Sequence, residues 1–186
     1  MITAVYIDEL YYTDPVTKVA DKAAGLSGAE VYALLQNAAT KRVPNVHGET
    51  FQYEEAEAST TQYKNQLTGV TYRDDVVPGD VAINFTIGEY DYQMKADLQG
   101  GTATATSWQR GKFQKIRKCF IGKTKDGMYV VFPKAAILAR GANTDKAIGL
   151  AVAARPLETG VDGLASEKWF DASEVKAAPA QGGEGK

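Results

Sequence analysis

The chain has 186 residues, with one cysteine, one histidine and a formal net charge of -2. That length suits one domain, or one domain with extended arms, and is enough to bury a substantial core. The slight acidity argues against the basic footprint of tight nucleic-acid binding, the lone cysteine forbids an intramolecular disulfide, and one His with one Cys exclude the usual zinc clusters.

The N-terminal MITAVYIDELYYTDP has no cationic start leading into a long apolar run, and no window approaches about 18 consecutive apolar residues. The expectation is a soluble, cytoplasmically made protein with no signal peptide and no membrane partner. The first clear element is a helix from Ser27 to about Thr40. SGAE forms a capping box in which Ser27 caps the first turn and Glu30 reaches back, Leu26 and Val31 form a hydrophobic staple, and Val31, Leu34, Leu35 and Ala38 make one apolar stripe. From Asn45 to Asp75 aliphatic residues are sparse and Phe51, Tyr53, Tyr63 and Tyr72 are spaced along the chain. Thr50–Tyr53 and Gly69–Arg73 look like strands, and the polar connection Ala58–Asn65 between them is a candidate projecting loop. It is either a mobile surface loop or an arm that orders against a neighbouring subunit.

The most informative stretch is PGDVAINFTIGEYDYQMKADLQGG, Pro78 to Gly101. Val81, Ile83, Phe85 and Ile87 alternate with small or polar residues, the period of a sheet with one buried face. Tyr90, Met94 and Leu98 then recur at helical spacing, and Gly100-Gly101 ends the helix. GGTATATSWQRGKFQ is a linker with room for a short strand, and three β-rich segments follow. They are Lys115–Gly122, Met128–Ala139 broken near Pro133, and Ile148–Ala154, with turns at Lys125-Asp126-Gly127 and Gly141-Ala142-Asn143. In the last, Ile148, Leu150, Val152 and Ala154 share one face and Gly149, Ala151 and Ala153 leave the other nearly smooth. Trp169-Phe170 form an aromatic closure, and the tail from Lys176 is expected to be disordered. The fold class expected is mainly β, a sandwich or barrel with one or two packed helices, forming a single domain over residues 1–175 with an arm at about 45–75.

The search for chemistry finds no nucleophile–base pair, G-x-S-x-G elbow, P-loop or dinucleotide fingerprint. No catalytic residue, cofactor or metal is assigned. Cys119 lies in a strand and His47 in a loop with nothing marking it as its partner. Glu54, Glu55 and Glu57 are a solvated acidic cluster or, alternatively, paired carboxylates for glycosidic cleavage or oxygen ligands for a hard cation; as an enzyme the chain would lose activity on Glu55→Gln. Trp108 beside Arg110 and Lys112 is a sheet-edge feature or a stacking site. Charge is segregated: Arg110, Lys112, Lys115, Arg117, Lys118, Lys123 and Lys125 fall in one segment, and Glu49, Glu54, Glu55, Glu57, Asp74 and Asp75 in an earlier one. These are two solvated faces, or surfaces through which copies of the chain meet.

In SGAEVYALLQNAATKRVPNVHGETFQYEEAE, TTQYKNQLTGVTYRDD, PGDVAINFTIGEYDYQMKADLQGG and GLAVAARPLETGVDG, the chain resembles the major tail tube proteins of long-tailed bacteriophages and prophages of Bacteroides-like hosts. The resemblance spans about Gly25 to Gly163. It implies a β-sandwich or barrel-like subunit of the virion tail that forms rings, commonly hexameric, stacked into a tube through which DNA passes without specific binding; contractile injection tubes share this architecture. Its partners would be itself and other tail proteins. The region His47–Asp75 becomes the ring-to-ring element, with Tyr63, Leu67 and Tyr72 as anchors, Glu54 and Glu55 at the acidic interface, and Lys115 and Arg117 facing outward or toward an acidic neighbour. Charge reversal of Lys115 and Arg117 is then expected to weaken assembly. The alternative is a monomeric β-rich ligand- or carbohydrate-binding module that stacks its ligand on Trp108, Tyr90 and Tyr92.

Overall fold

A computed structural model of the chain describes residues 4, 6–144 and 147–178. In order, its elements are β1 (Ile7–Thr13), α1 (Gly28–Gln36), β2 (Lys41–Arg42), β3 (Gln52–Glu55), β4 (Ser59–Lys64), β5 (Thr71–Val77), β6 (Val81–Ile87), α2 (Tyr92–Gln99), β7 (Thr102–Ala103), β8 (Trp108–Gln109), β9 (Ile116–Thr124), β10 (Met128–Thr144), β11 (Ala147–Pro156) and β12 (Lys168–Asp171). The fold is mainly β and antiparallel. One sheet runs β2-β1-β9-β10-β11-β6-β3, with β12 also paired to β10; β4-β5 and β7-β8 are separate two-stranded ribbons.

Strand periodicity sends alternate residues of β9 and β10 to two different cores. From β9 and β10, Phe120, Val130 and Phe132 enter a first core with Leu10 and Tyr12, the apolar row of β6, Leu150 and Val152 of β11, and Met94 and Leu98 of α2. Cys119, Ile121 and Val131 point the other way, into a second core closed by Leu26 and Val31 at α1 and by Leu164, Phe170 and Val175. Between β2 and β3 the chain stitches together the two ends of the sheet. The Val43 N–H donates to the Leu10 carbonyl on the β1 side, and the His47 N–H to the Thr86 carbonyl on the β6 side. Asn45 Oδ1 accepts the Gly88 and Glu89 N–H groups. The sheet is therefore curled around its first core, with α2 as filling.

Both helices begin where their caps predict. Ser27 accepts the Glu30 N–H, and the Glu30 carboxylate takes the Ser27 N–H at 2.8 Å and the Ala20 N–H at 2.7 Å. Leu26 and Val31 meet in one core as a staple does. α1 stops at Gln36, short of the expected Thr40, because Asn37 is extended and its side chain accepts the Ala39 N–H, a local turn that competes with the helix. α2 starts later than the Tyr90 spacing suggests. Asp91 caps it by accepting the Met94 N–H, which leaves Tyr90 outside the helix and packed at the edge of the first core. At its end Gly100 takes φ +83°, which favours glycine.

Three other expectations are corrected and one is found in place. Ala58–Asn65 is no loop: Ser59–Lys64 is β4, paired residue by residue with β5. Residues 45–51 do not project, since Val46 and Phe51 pack on the first core; the projecting unit is 59–77. Gly141-Ala142-Asn143 is strand, opposite Leu150, Gly149 and Ile148, and not the turn expected there. Pro133 is where the break expected in the strand is found, and it does not end the strand. It sits in a register shift between Phe132 and Ala135, where its carbonyl accepts from Val16, so that β10 runs 17 residues. Trp169 and Phe170, adjacent on β12, serve the two cores separately. Of the expected tail, Lys176–Ala178 is exposed coil and 179–186 lies outside the described residues.

Candidate functional site

The β4–β5 ribbon stands apart. Among the described residues its strands bond only to each other, and every residue of β4 and all of β5 except Asp75 are exposed. At its base Gly79 passes so close to the Ala56 carbonyl that a Cβ would lie 1.6 Å from the oxygen, and the Ala56 N–H bonds the Asp80 carbonyl. The tip turns through residues 65–70, where the Asn65 and Val70 backbones pair and Gly69 takes φ +69°. Register places Tyr63, Thr61, Arg73 and Asp75 on one face of the ribbon and Thr60, Gln62, Asp74 and Val76 on the other; Tyr72 is the extra residue at a register shift, between Thr71 opposite Lys64 and Arg73 opposite Tyr63. The first face is satisfied internally: Arg73 makes a forked pair with Asp75 and lies 5.3 Å from the Tyr63 ring centre. Among the described residues the second leaves Asp74 without an ion pair, beside exposed Val76 (58 %), and Tyr72 is 70 % exposed.

Of the residues marked by sequence, Tyr63, Leu67 and Tyr72 all lie on this arm, and Leu67 is 94 % exposed at its tip. Glu54 and Glu55 are exposed on β3 at its root, with Glu54 accepting from Asn84 at 2.9 Å. Lys115 and Arg117 lie apart from them. Lys115 is exposed, Arg117 is half-buried with its guanidinium on the Ile116 carbonyl, and neither forms an ion pair among the described residues. The other basic residues of this segment divide. Lys118 pairs with Asp14 at 2.8 Å and Lys123 with Glu9 at 3.6 Å.

A groove of about 940 Å³ lies between the sheet and the loop that joins β8 to β9. Two cross-strand rows, Leu138–Ala153–Asn84–Gln52 and Arg140–Ala151–Thr86, contribute to its floor. Arg110, Lys112 and Phe113 stand over it, and Phe113 is 82 % exposed. Glu49 is the acid among its lining residues, against three cations. The smooth Ala151/Ala153 face was legible as alternation in the sequence; its joining with Arg140 and the 110–113 loop depends on long-range pairing and was not.

Trp108 is already covered. Lys95 sits 4.3 Å and Arg110 5.4 Å from its ring, and its Nε1 donates to the Gly100 carbonyl. A polar knot under the first core also escaped sequence reading. Asp97 accepts from Lys41 at 2.6 Å, from Gln93 at 2.9 Å and from the Tyr12 hydroxyl at 3.2 Å. Burial pulls the Asp97 carboxyl up, but hydrogen bonds from Lys41 and Gln93, with the fields of Lys41 and Lys118, hold it below the usual range. Burial and the neighbouring Asp97 push the Tyr12 phenol well above its ordinary value. Glu9 is likewise raised by burial and pulled below its usual value by Tyr11, Lys123 and Arg42 together. Burial pushes the Cys119 thiol up to about 12, so it is a packing group and not a thiolate at neutral pH.

Among the described residues no group of three or more His, Cys, Asp or Glu side chains is placed to hold a metal ion, and no helix is long and apolar enough to cross a membrane. No protein-family model matches the chain, and no curated protein matches it at significant similarity.

Proposed function

We propose that this chain is a structural subunit of a phage tail tube, with a tail-tube-type fold, that self-assembles into stacked rings around a lumen through which DNA passes. The observation that carries this reading is the β4–β5 arm. A two-stranded ribbon is marginal in water on its own, and this one holds Leu67, Val70, Tyr72, Val76 and Val77 in solvent while most apolar side chains of the sheet lie in two cores. Bare apolar side chains on a well-formed ribbon serve a protein that meets partners in quantity. Head-to-tail contacts between identical copies close into rings or propagate as filaments. Its site of action would be the virion tail, and its partners its own copies and other tail proteins.

Negative-stain electron microscopy of the purified protein over a concentration series, with light scattering on the same samples, tests the proposal. Rings or hollow tubes are the expected result. A strictly monomeric protein that also fails to enter tubes assembled with the other tail components would overturn it. The binding-module alternative needs an open aromatic platform, and Trp108 between Lys95 and Arg110 is a poor one.

A further inference from the structure

Among the described residues the arm has an unpaired acid, Asp74, beside apolar Val76, and the groove has unpaired cations over an apolar and small-residue floor. Lys112 and Arg140 form no ion pair among the described residues, and Arg110 is engaged only by the Trp108 ring. Ala151 and Ala153 present little bulk, so a second β layer can approach closer than the ordinary spacing of about 10 Å between packed sheets. Beyond Ile137, β10 has no partner on the β9 side among the described residues, because β9 begins at Ile116, and this leaves the flank of the groove open.

We propose that this groove receives the β4–β5 arm of a second copy of the chain, with Asp74 set against Arg140 and Lys112 and with Val76 laid on Leu138, Ala153 and Phe113. The assignment rests on the self-assembly proposed above and names the receiving surface. Charge decides the face of the ribbon: Arg73 already neutralises Asp75 on the Tyr63 side, so the Asp74 side is the one with charge to offer. Complementary charge fixes register more than it adds affinity, and the exposed apolar residues on both sides supply area to bury. Each copy carries one arm and one groove. The contact is therefore heterologous and propagates from copy to copy.

Site-specific disulfide cross-linking tests this. Asp74→Cys is placed in one tagged population and Arg140→Cys in another, both at exposed positions, while buried Cys119 stays silent. Mixing under mild oxidation is expected to give a heterodimer carrying both tags, and Asp74→Cys paired with Asp162→Cys is expected to give none. Tubes seen by electron microscopy without the 74–140 cross-link would overturn the groove and leave the assembly reading intact; monomers throughout would remove both. A 74–140 bond formed within one doubly substituted chain, at a rate independent of dilution, would overturn the second copy as occupant. In parallel, Asp74→Lys is expected to raise the concentration needed for assembly by about tenfold or more, and Arg140→Glu in the same chain to recover most of it, because like charges meeting across an interface cost several kcal/mol. No recovery, with both proteins folded by circular dichroism, counts against the pairing.

Discussion

At the scale of single residues, the strongest commitment the fold makes is to Asp97. It is mostly covered, with 17 % of its side chain exposed, and it joins α2 to Lys41 of β2 and to the hydroxyl of Tyr12 on β1. Asp97→Asn keeps the shape and removes the charge, leaving Lys41 and Tyr12 with a weaker acceptor. Hydrogen bonds to charged groups contribute about 1.5–3 kcal/mol, and the 40 % exposure of Lys41 argues for the lower end, so a loss of about 1.5 kcal/mol at pH 7 is expected by urea denaturation. Because the folded Asp97 carboxyl titrates below its unfolded value, its contribution is present above the unfolded pKa of 3.8 and is lost as pH falls through the folded one. The gap between wild type and variant should therefore narrow below about pH 4; an unchanged gap at pH 3 would show that the carboxylate is not the stabilising form. Gly163 is a commitment of a different kind. Its φ is +78° and a Cβ there would lie 1.9 Å from the Lys22 carbonyl, a backbone atom that cannot swing aside. Gly163→Ala should cost more than about 2 kcal/mol, well above the effect of a typical surface change. The same substitution at Gly160, which shares the positive φ but meets nothing, should cost about 1 kcal/mol.

At the scale of elements, the molecule separates what folds it from what it offers outside. Replacing residues 59–77 by a short Gly-Ser turn removes no residue from either core, so the melting temperature should move by only a few degrees while assembly is abolished. A large fall in melting temperature would mean that the ribbon braces the sheet. This division also explains what could be read from sequence. The alternation of Val81–Ile87, the Ser27 capping box, the Asp126-Gly127 turn and the Gly100 stop are local signals, and each is found where its pattern lies. β4 was hidden because STTQYK has no apolar alternation: both its faces are solvated, so nothing in its pattern marks a strand. The length of β10 was hidden because Pro133 and Gly141 usually punctuate, and here a register shift absorbs the first and pairing to Leu150 carries the second. The arm's tyrosines were visible as residues with no core to join; the groove was not, since Arg140, Ala151 and Thr86 meet only through the β10–β11–β6 register.

At the scale of the whole molecule, sheet order decides what happens when the arm is cut. Lys64 and Arg73 are exposed on the ribbon, and Lys64 adjoins the 65–70 turn, so trypsin should nick the free protein there first. Cleavage leaves a fragment holding β1, β2, β3 and α1 and another holding β6 to β12 and α2. These cannot easily part. β1 pairs with β9 at one end of the sheet and β3 with β6 at the other, so the N-terminal fragment flanks its partner on both sides. Both cores also draw on both fragments: Leu10 and Tyr12 lie with Phe120 and Ile83, and Leu26 and Val31 with Ile121 and Phe170. Nicked protein should thus elute from size-exclusion chromatography as one species of native size and run as two bands on a denaturing gel. Elution as separate fragments would mean that the continuous arm, and not the interleaved sheet, holds the halves together. If the arm is seated in a neighbour when copies assemble, the same cleavage should slow by at least about tenfold in the assembled protein, because backbone held in a packed interface must open before a protease can take it. Equal rates in the free and assembled protein would leave the arm in solvent and separate assembly from the arm.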